Sequence, residues 1–169
     1  MDDADNEQMK ERVSEIIEHW KYTRKLTYDL VKVVPVDILN KHLDRPIYDS
    51  MAKQIYELAL MQRHFADILD NKKADFSKMA PKNFKVRENS ELIGALKISD
   101  EYFFKVISVI TDWGSQVYEA MGRKRSAYGV VQMLIEHETF HQGQFAAISY
   151  MTGIKLPKSW AGEVSFHFK

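Results

Sequence analysis

Apolar side chains recur at helical spacing along four stretches of the chain. Between Met9 and Val34, the positions Val13, Ile16, Ile17, Trp20, Thr23, Thr27, Leu30, Val31 and Val34 follow an i, i+3, i+4, i+7 rhythm, with charges on the opposite face. The pattern predicts a long amphipathic helix that stops at the residue before Pro35. A second stretch, Met51 to Leu69, gathers Met51, Ile55, Leu58, Met61, Gln62, Phe65, Ile68 and Leu69 on one broad face, with Asp49 or Ser50 as its cap. A third starts behind Ser90 as N-cap. Its stripe of Leu92, Ile93, Leu96, Ser99, Phe103, Val106, Ile107, Ile110, Trp113 and Val117 predicts a helix running to Ala120. The fourth, capped by Ser126, aligns Val130, Met133, Leu134, His137, His141, Gln144, Ile148 and Met151. Gly153 is placed to end it as a left-handed residue, and Pro157 prevents its resumption.

The intervening segments read as connectors. Residues 35–48 allow one helical turn at Val36–Leu39, and Met121–Arg125 is a turn. Residues 71–89 are polar and form a long crossover loop, in which Phe76, Met79 and Phe84 are placed to fold back over the helices. Residues 1–7 are expected to fray. The tail, residues 154–169, carries Trp160, Phe166 and Phe168 and is expected to cross the bundle or to pack on a partner. No stretch alternates as a strand does. The expected fold class is therefore all-α: one four-helix-bundle domain over residues 1–169, with a long crossover loop and an extended C-terminal tail.

Composition narrows the function. The length suits one domain with a sizeable core. The formal net charge is zero and no block of like charges occurs, which argues against a nucleic-acid partner. The absence of cysteine excludes disulfides, zinc ribbons, iron–sulfur ligation and a cysteine nucleophile. Residues 1–8 are acidic and polar with no signal-like apolar run, and no segment approaches the ~18 apolar residues of a membrane span. A cytoplasmic protein that makes no membrane contact is expected.

The candidate chemistry sits in the fourth helix. His137 and His141 are four residues apart, so both rings point from one face into the core. A buried imidazole needs a partner for each ring nitrogen, and a divalent metal serves two neutral imidazoles at once. Gln144 lies one turn on. Gly143, inside the helix, suits a close approach by a neighbouring helix or room for a ligand. Glu57 stands at the margin of the second stripe, one turn from Met61, where an acid is usually solvated. Read literally, residues 137–141 spell HExxH, the zinc-peptidase signature, with Glu138 as the base. Three features weigh against that reading: Gln144 stands where a glycine is wanted, the downstream acid Glu163 lies in a short tail, and no strand is expected before the motif.

A second pattern accounts for more of the chain. The stretch HETFHQGQFAAISYMTGIKLPKSW resembles the closing signature of the DinB/YfiT-like family, and HWKYTRKLTYDLVKVVP and DSMAKQIYELALMQRHF resemble its first and second helices. The resemblance implies a four-helix bundle holding a divalent metal on three residues, typically histidines. Two ligands carry over to His137 and His141. The third falls on Glu57, three residues after Gln54, where the family usually has histidine. A carboxylate there makes a two-histidine, one-carboxylate set suited to zinc, nickel, manganese or iron. Should Glu57 not serve, Glu163 and His64 are next in line.

The resemblance also implies an activity. The family includes S-transferases and isomerases that use low-molecular-weight thiols, and proteins regarded as metal-dependent hydrolases. The expectation is a metal-dependent enzyme acting on a small-molecule substrate, by thiol-dependent S-transfer or by hydrolysis. Gln54, Met61 and Gln144 are placed for the substrate or for orienting ligands. Glu138, about 80° around the helix from the bisector of the histidines, is either a catalytic group or a structural ion pair. Three other readings stay open: a non-catalytic metal- or ligand-binding stress protein, a degenerate site, and the peptidase. A homodimer is compatible with the apolar faces and the aromatic tail.

Overall fold

The computed structural model describes residues 3–44, 47–77 and 80–162. Among them the elements run α1 (Asp3–Val33), α2 (Val36–Leu39), α3 (Met51–Leu69), α4 (Asn89–Ile107), β1 (Tyr118–Ala120), β2 (Arg123–Arg125) and α5 (Ala127–Thr152), followed by a single 3₁₀ turn, Lys158–Trp160. The four long helices form the bundle. α5 packs on both α1 and α3, α4 packs along α3, and the α1/α4 seam is only lightly joined. No described helix is long and apolar enough to cross a membrane.

Most boundaries follow from local chemistry. Ser50 caps α3 by accepting from Lys53 N, and Ser126 caps α5 by accepting from Gly129 N. Gly153 ends α5 at φ 71°, where a side chain would be strained. α1 opens at Asp3, inside the stretch expected to fray. Ser90 is not the cap of α4. Glu88 is the cap and the helix starts at Asn89, two residues earlier than expected, while Glu91 reaches back to accept from Arg87 N (2.7 Å) and Glu88 N (3.3 Å).

The expected third helix is too long. α4 ends at Ile107, although Ile110, Trp113 and Val117 continue its spacing. Asp112 keeps the helix from resuming: its carboxylate accepts from Gly114 N and Ser115 N, a local turn that competes with helix. The chain then forms an antiparallel hairpin, Tyr118 opposite Arg125 and Ala120 opposite Arg123. Met121 (φ 51°) and Gly122 (φ 72°) supply its two-residue turn. Tyr118 and Ala120 are buried while Glu119 is exposed, a period of two too short to read from sequence. A strand thus does precede the histidine helix.

The crossover loop folds back as expected. Phe84 stacks on Tyr56 at 4.7 Å, and Asn40 clamps both backbone groups of Val86. The tail crosses the bundle at Trp160, which is 2% exposed and donates from Nε1 to Leu26 O. Met79, Glu163, Phe166 and Phe168 lie outside the described residues.

The core is not continuous. One apolar half gathers Trp20, Phe65, Phe103 and Leu134; the other gathers Leu30, Ile55, Leu96 and Phe145. Between them each of the four long helices contributes buried polar groups: Thr23, Arg24 and Thr27 from α1, Gln54, Glu57 and Gln62 from α3, Ser99 from α4, and Glu138, His141 and Gln142 from α5. This polar belt holds the candidate chemistry.

Candidate metal centre

α3 and α5 bring Glu57, His137 and His141 together, each offering one ligand atom, and all three atoms lie within 4.8 Å of one another. Glu57 Oε1 is 3.3 Å from His137 Nε2, and Glu57 Oε2 is 3.1 Å from His141 Nε2. The two rings meet edge to face at 4.8 Å, as an i,i+4 pair on one helix must. Glu57 and His141 are buried, whereas the His137 side chain is 26% exposed, so the cluster opens to solvent on that side.

The donor chemistry fits a divalent ion. His141 Nδ1 approaches Gln54 Oε1 at 3.3 Å, and an amide oxygen only accepts. A neutral ring that donates from Nδ1 to this oxygen leaves its Nε2 lone pair, 3.1 Å from Glu57 Oε2, free to ligate. A neutral lone pair facing a buried carboxylate calls for a positive charge between them, supplied by a proton on the ring or by a metal ion. Gln54 fixes the tautomer that ligation needs. His137 Nδ1 has no hydrogen-bond partner among the described residues, so the second imidazole lacks such an orienting contact.

Burial alone would raise the Glu57 carboxyl. The hydrogen bonds and charges of His137 and His141 outweigh it and hold the group at about 2. Tyr48, which precedes α3, points its hydroxyl at Glu57 Oε1 (3.5 Å) and sets its ring edge-on to His141 at 6.2 Å. Burial, then the Glu57 charge, raises the Tyr48 phenol above its ordinary value. Tyr48 gave no signal in the sequence, because the connector that carries it has no periodicity.

The other expected site residues are spread out. Gln144 is half-buried one turn beyond His141, and Met61 is half-buried against the apolar half around Trp20. His64 is buried on α3 with its ring 5.0 Å from Phe76.

Glu138 belongs to a different group. It is fully buried, and its Oε1 accepts from Thr27 Oγ1 (2.5 Å) and lies 3.2 Å from Arg24 Nη1. Arg24 also meets Asp100 at 3.2 Å and donates from Nη2 to Gln62 Oε1 at 2.9 Å. Gln62 passes its amide protons to Asp100 (2.8 Å), and Tyr28 donates to the same carboxylate (2.6 Å). Burial raises Glu138 despite Arg24 and Thr27. The α5 stripe is thus turned from the expected one: Glu138 and Gln142 face inward, and Met151 is 73% exposed.

Comparison with known proteins agrees with the fold. A family model described as the DinB family matches residues 9–157. A solved crystal structure of a DinB-like protein from Bacillus cereus ATCC 10987 is similar, with a TM-score of 0.70 and 15% identity over 86% of this chain and 95% of that one. No curated protein matches.

Proposed function

The chain belongs to the DinB family, and from that premise we propose a divalent-metal-dependent enzyme that acts on a small molecule by thiol-dependent S-transfer or by hydrolysis. The observation that carries the reading is the meeting of the Glu57 carboxylate with the Nε2 atoms of His137 and His141, within 4.8 Å, at a partly open edge of the belt. Three protein ligands leave positions free for a water or a substrate, as catalytic sites do and closed structural sites do not. When bound there, a divalent ion supplies Lewis acidity toward a water or a thiol. Glu57 and the two imidazoles hold it, and Gln54 keeps His141 in the ligating tautomer. Tyr48 hydrogen-bonds Glu57 and closes the α3 side of the site. Because the chain has no cysteine, any thiol arrives with the reactants.

The peptidase reading finds no support in the geometry. The HExxH mechanism needs Glu138 beside a water at the metal, and Glu138 instead sits against Arg24 and Thr27. The test of the proposal is elemental analysis of untagged protein beside Glu57→Ala and Glu57→Gln. About one transition metal per chain, lost in both variants, supports the site. Metal-loaded protein is then given bacillithiol, mycothiol or glutathione with a chloro-dinitroarene, and separately an ester. Turnover with a thiol selects the transferase branch, and ester cleavage without thiol selects the hydrolase. No turnover in either assay, with metal bound, would leave a binding protein and reject the enzyme.

A further inference from the structure

The lightly joined α1/α4 seam opens into a groove of about 690 Å³. No residue of the metal triad lines it. Its size is that of a small-molecule site. The base is apolar and aromatic: Ile93 and Phe104 are half-buried, with Tyr28 alongside, and the fully buried Trp20 lies behind them. Its rim is basic. Lys21, Lys25 and Lys32 project from one side and Lys97 from the other, with Arg24 beneath, against only Asp29 and Asp100 among the lining acids. This is a local concentration of positive charge on a chain whose formal net charge is zero.

The rim cations are available. Lys25 and Lys32 share the single carboxylate of Asp29, and among the described residues Lys21 pairs only with Glu18, all three lysines being more than half exposed. Such pairs exchange partners readily. Lys97 has no ion pair among the described residues. Arg24 is 3% exposed and lies over the Trp20 ring at 4.7 Å. Its Nε and Nη1 sit 3.2 Å from Asp100 and Glu138, so the buried guanidinium is held by two carboxylates and the lysines are left to meet a head group.

We propose that this groove binds a small amphiphilic oxyanion: a phosphate, sulfonate or carboxylate held by the lysine rim, carried on a flat apolar body that lies over Ile93 and Phe104. The charge selects the head group, and the aromatic base selects the body. The site is independent of the metal reading.

The probe is 1-naphthyl phosphate, titrated by calorimetry against the full chain, with 1-naphthol and inorganic phosphate as the two halves of the ligand. One probe is expected to bind per chain. Binding should weaken with salt, and by at least about tenfold in Lys97→Glu and in Lys25→Glu, because one charged contact turns from attraction to repulsion. Both lysines are exposed, and an unchanged circular dichroism spectrum verifies the fold of each variant. Each half-ligand alone should bind at least about tenfold more weakly than the whole. Binding should persist in Glu57→Ala. Equal affinity in both lysine variants, or naphthol binding as tightly as its phosphate ester, would overturn the proposal. So would inorganic phosphate binding as tightly as the ester. Loss of binding in Glu57→Ala would place the probe at the triad and reject the groove.

Discussion

Two polar clusters share the waist of this bundle, and they answer burial in opposite ways. Around Arg24, each carboxylate meets a donor that the protein supplies. Glu138 meets Thr27 and the guanidinium, and Asp100 meets Gln62 and Tyr28. Around Glu57, the carboxylate meets two imidazole nitrogens, and a neutral His141 that donates to Gln54 offers it a second acceptor. The first cluster matches its charges with its own side chains. The second is closed only when a cation joins it. Burial of charge is thus structural in one case and an invitation in the other, and the difference lies in what faces the carboxylate, not in how deep it sits.

The largest expected effect would separate the two clusters. Arg24→Ala leaves Glu138 buried and unpaired and should cost about 3–5 kcal/mol of stability, measured as a drop in the urea midpoint. Metal stoichiometry should survive. Metal lost along with stability would mean that the clusters are one unit and would break the comparison.

A smaller effect sharpens it from the other side. Gln54→Ala removes the group that orients His141, and metal affinity should fall about 10- to 100-fold in a chelator competition, with the urea midpoint of the metal-free protein little changed. Unaltered affinity would show that His141 needs no such partner.

The smallest effect concerns pH. In metal-free protein the folded Glu57 is held at about 2, below its ordinary 4.5. A depressed carboxyl stabilises the fold fully above its ordinary value, and that contribution is lost as pH falls toward the folded one. Glu57→Gln should therefore flatten the loss of stability between about pH 4.5 and 2, read from thermal melts. An identical acid limb in the variant would remove Glu57 from the balance.

Much of this was legible in the residues themselves. The helical stripes placed three of the four long helices closely, and the caps Ser50, Ser126 and Gly153 act as read. The belt also left traces. Thr23 and Thr27, Gln62, Ser99, and the histidine pair all interrupt apolar stripes at mid-helix, one interruption per helix. Read together, they mark a shared polar level. What could not be read was which charged residues turn inward to meet them. Arg24 looks like a solvated position until the partner helix is in place, where Glu138 meets it as an ion pair, one of the two roles read for that residue, and α5, wedged between α1 and α3, buries a wider arc than one stripe shows. The end of α4 was hidden for a different reason. Ile110, Trp113 and Val117 keep the rhythm, while one short side chain, Asp112, redirects the backbone.

The bond from Trp160 to Leu26 spans 134 residues of chain. As the polypeptide is made, α1 appears early and waits. The half of the core around Leu30 and Phe145 stays unsealed until the indole arrives, so this end of the bundle is the last to close and the longest exposed to a chaperone or a protease.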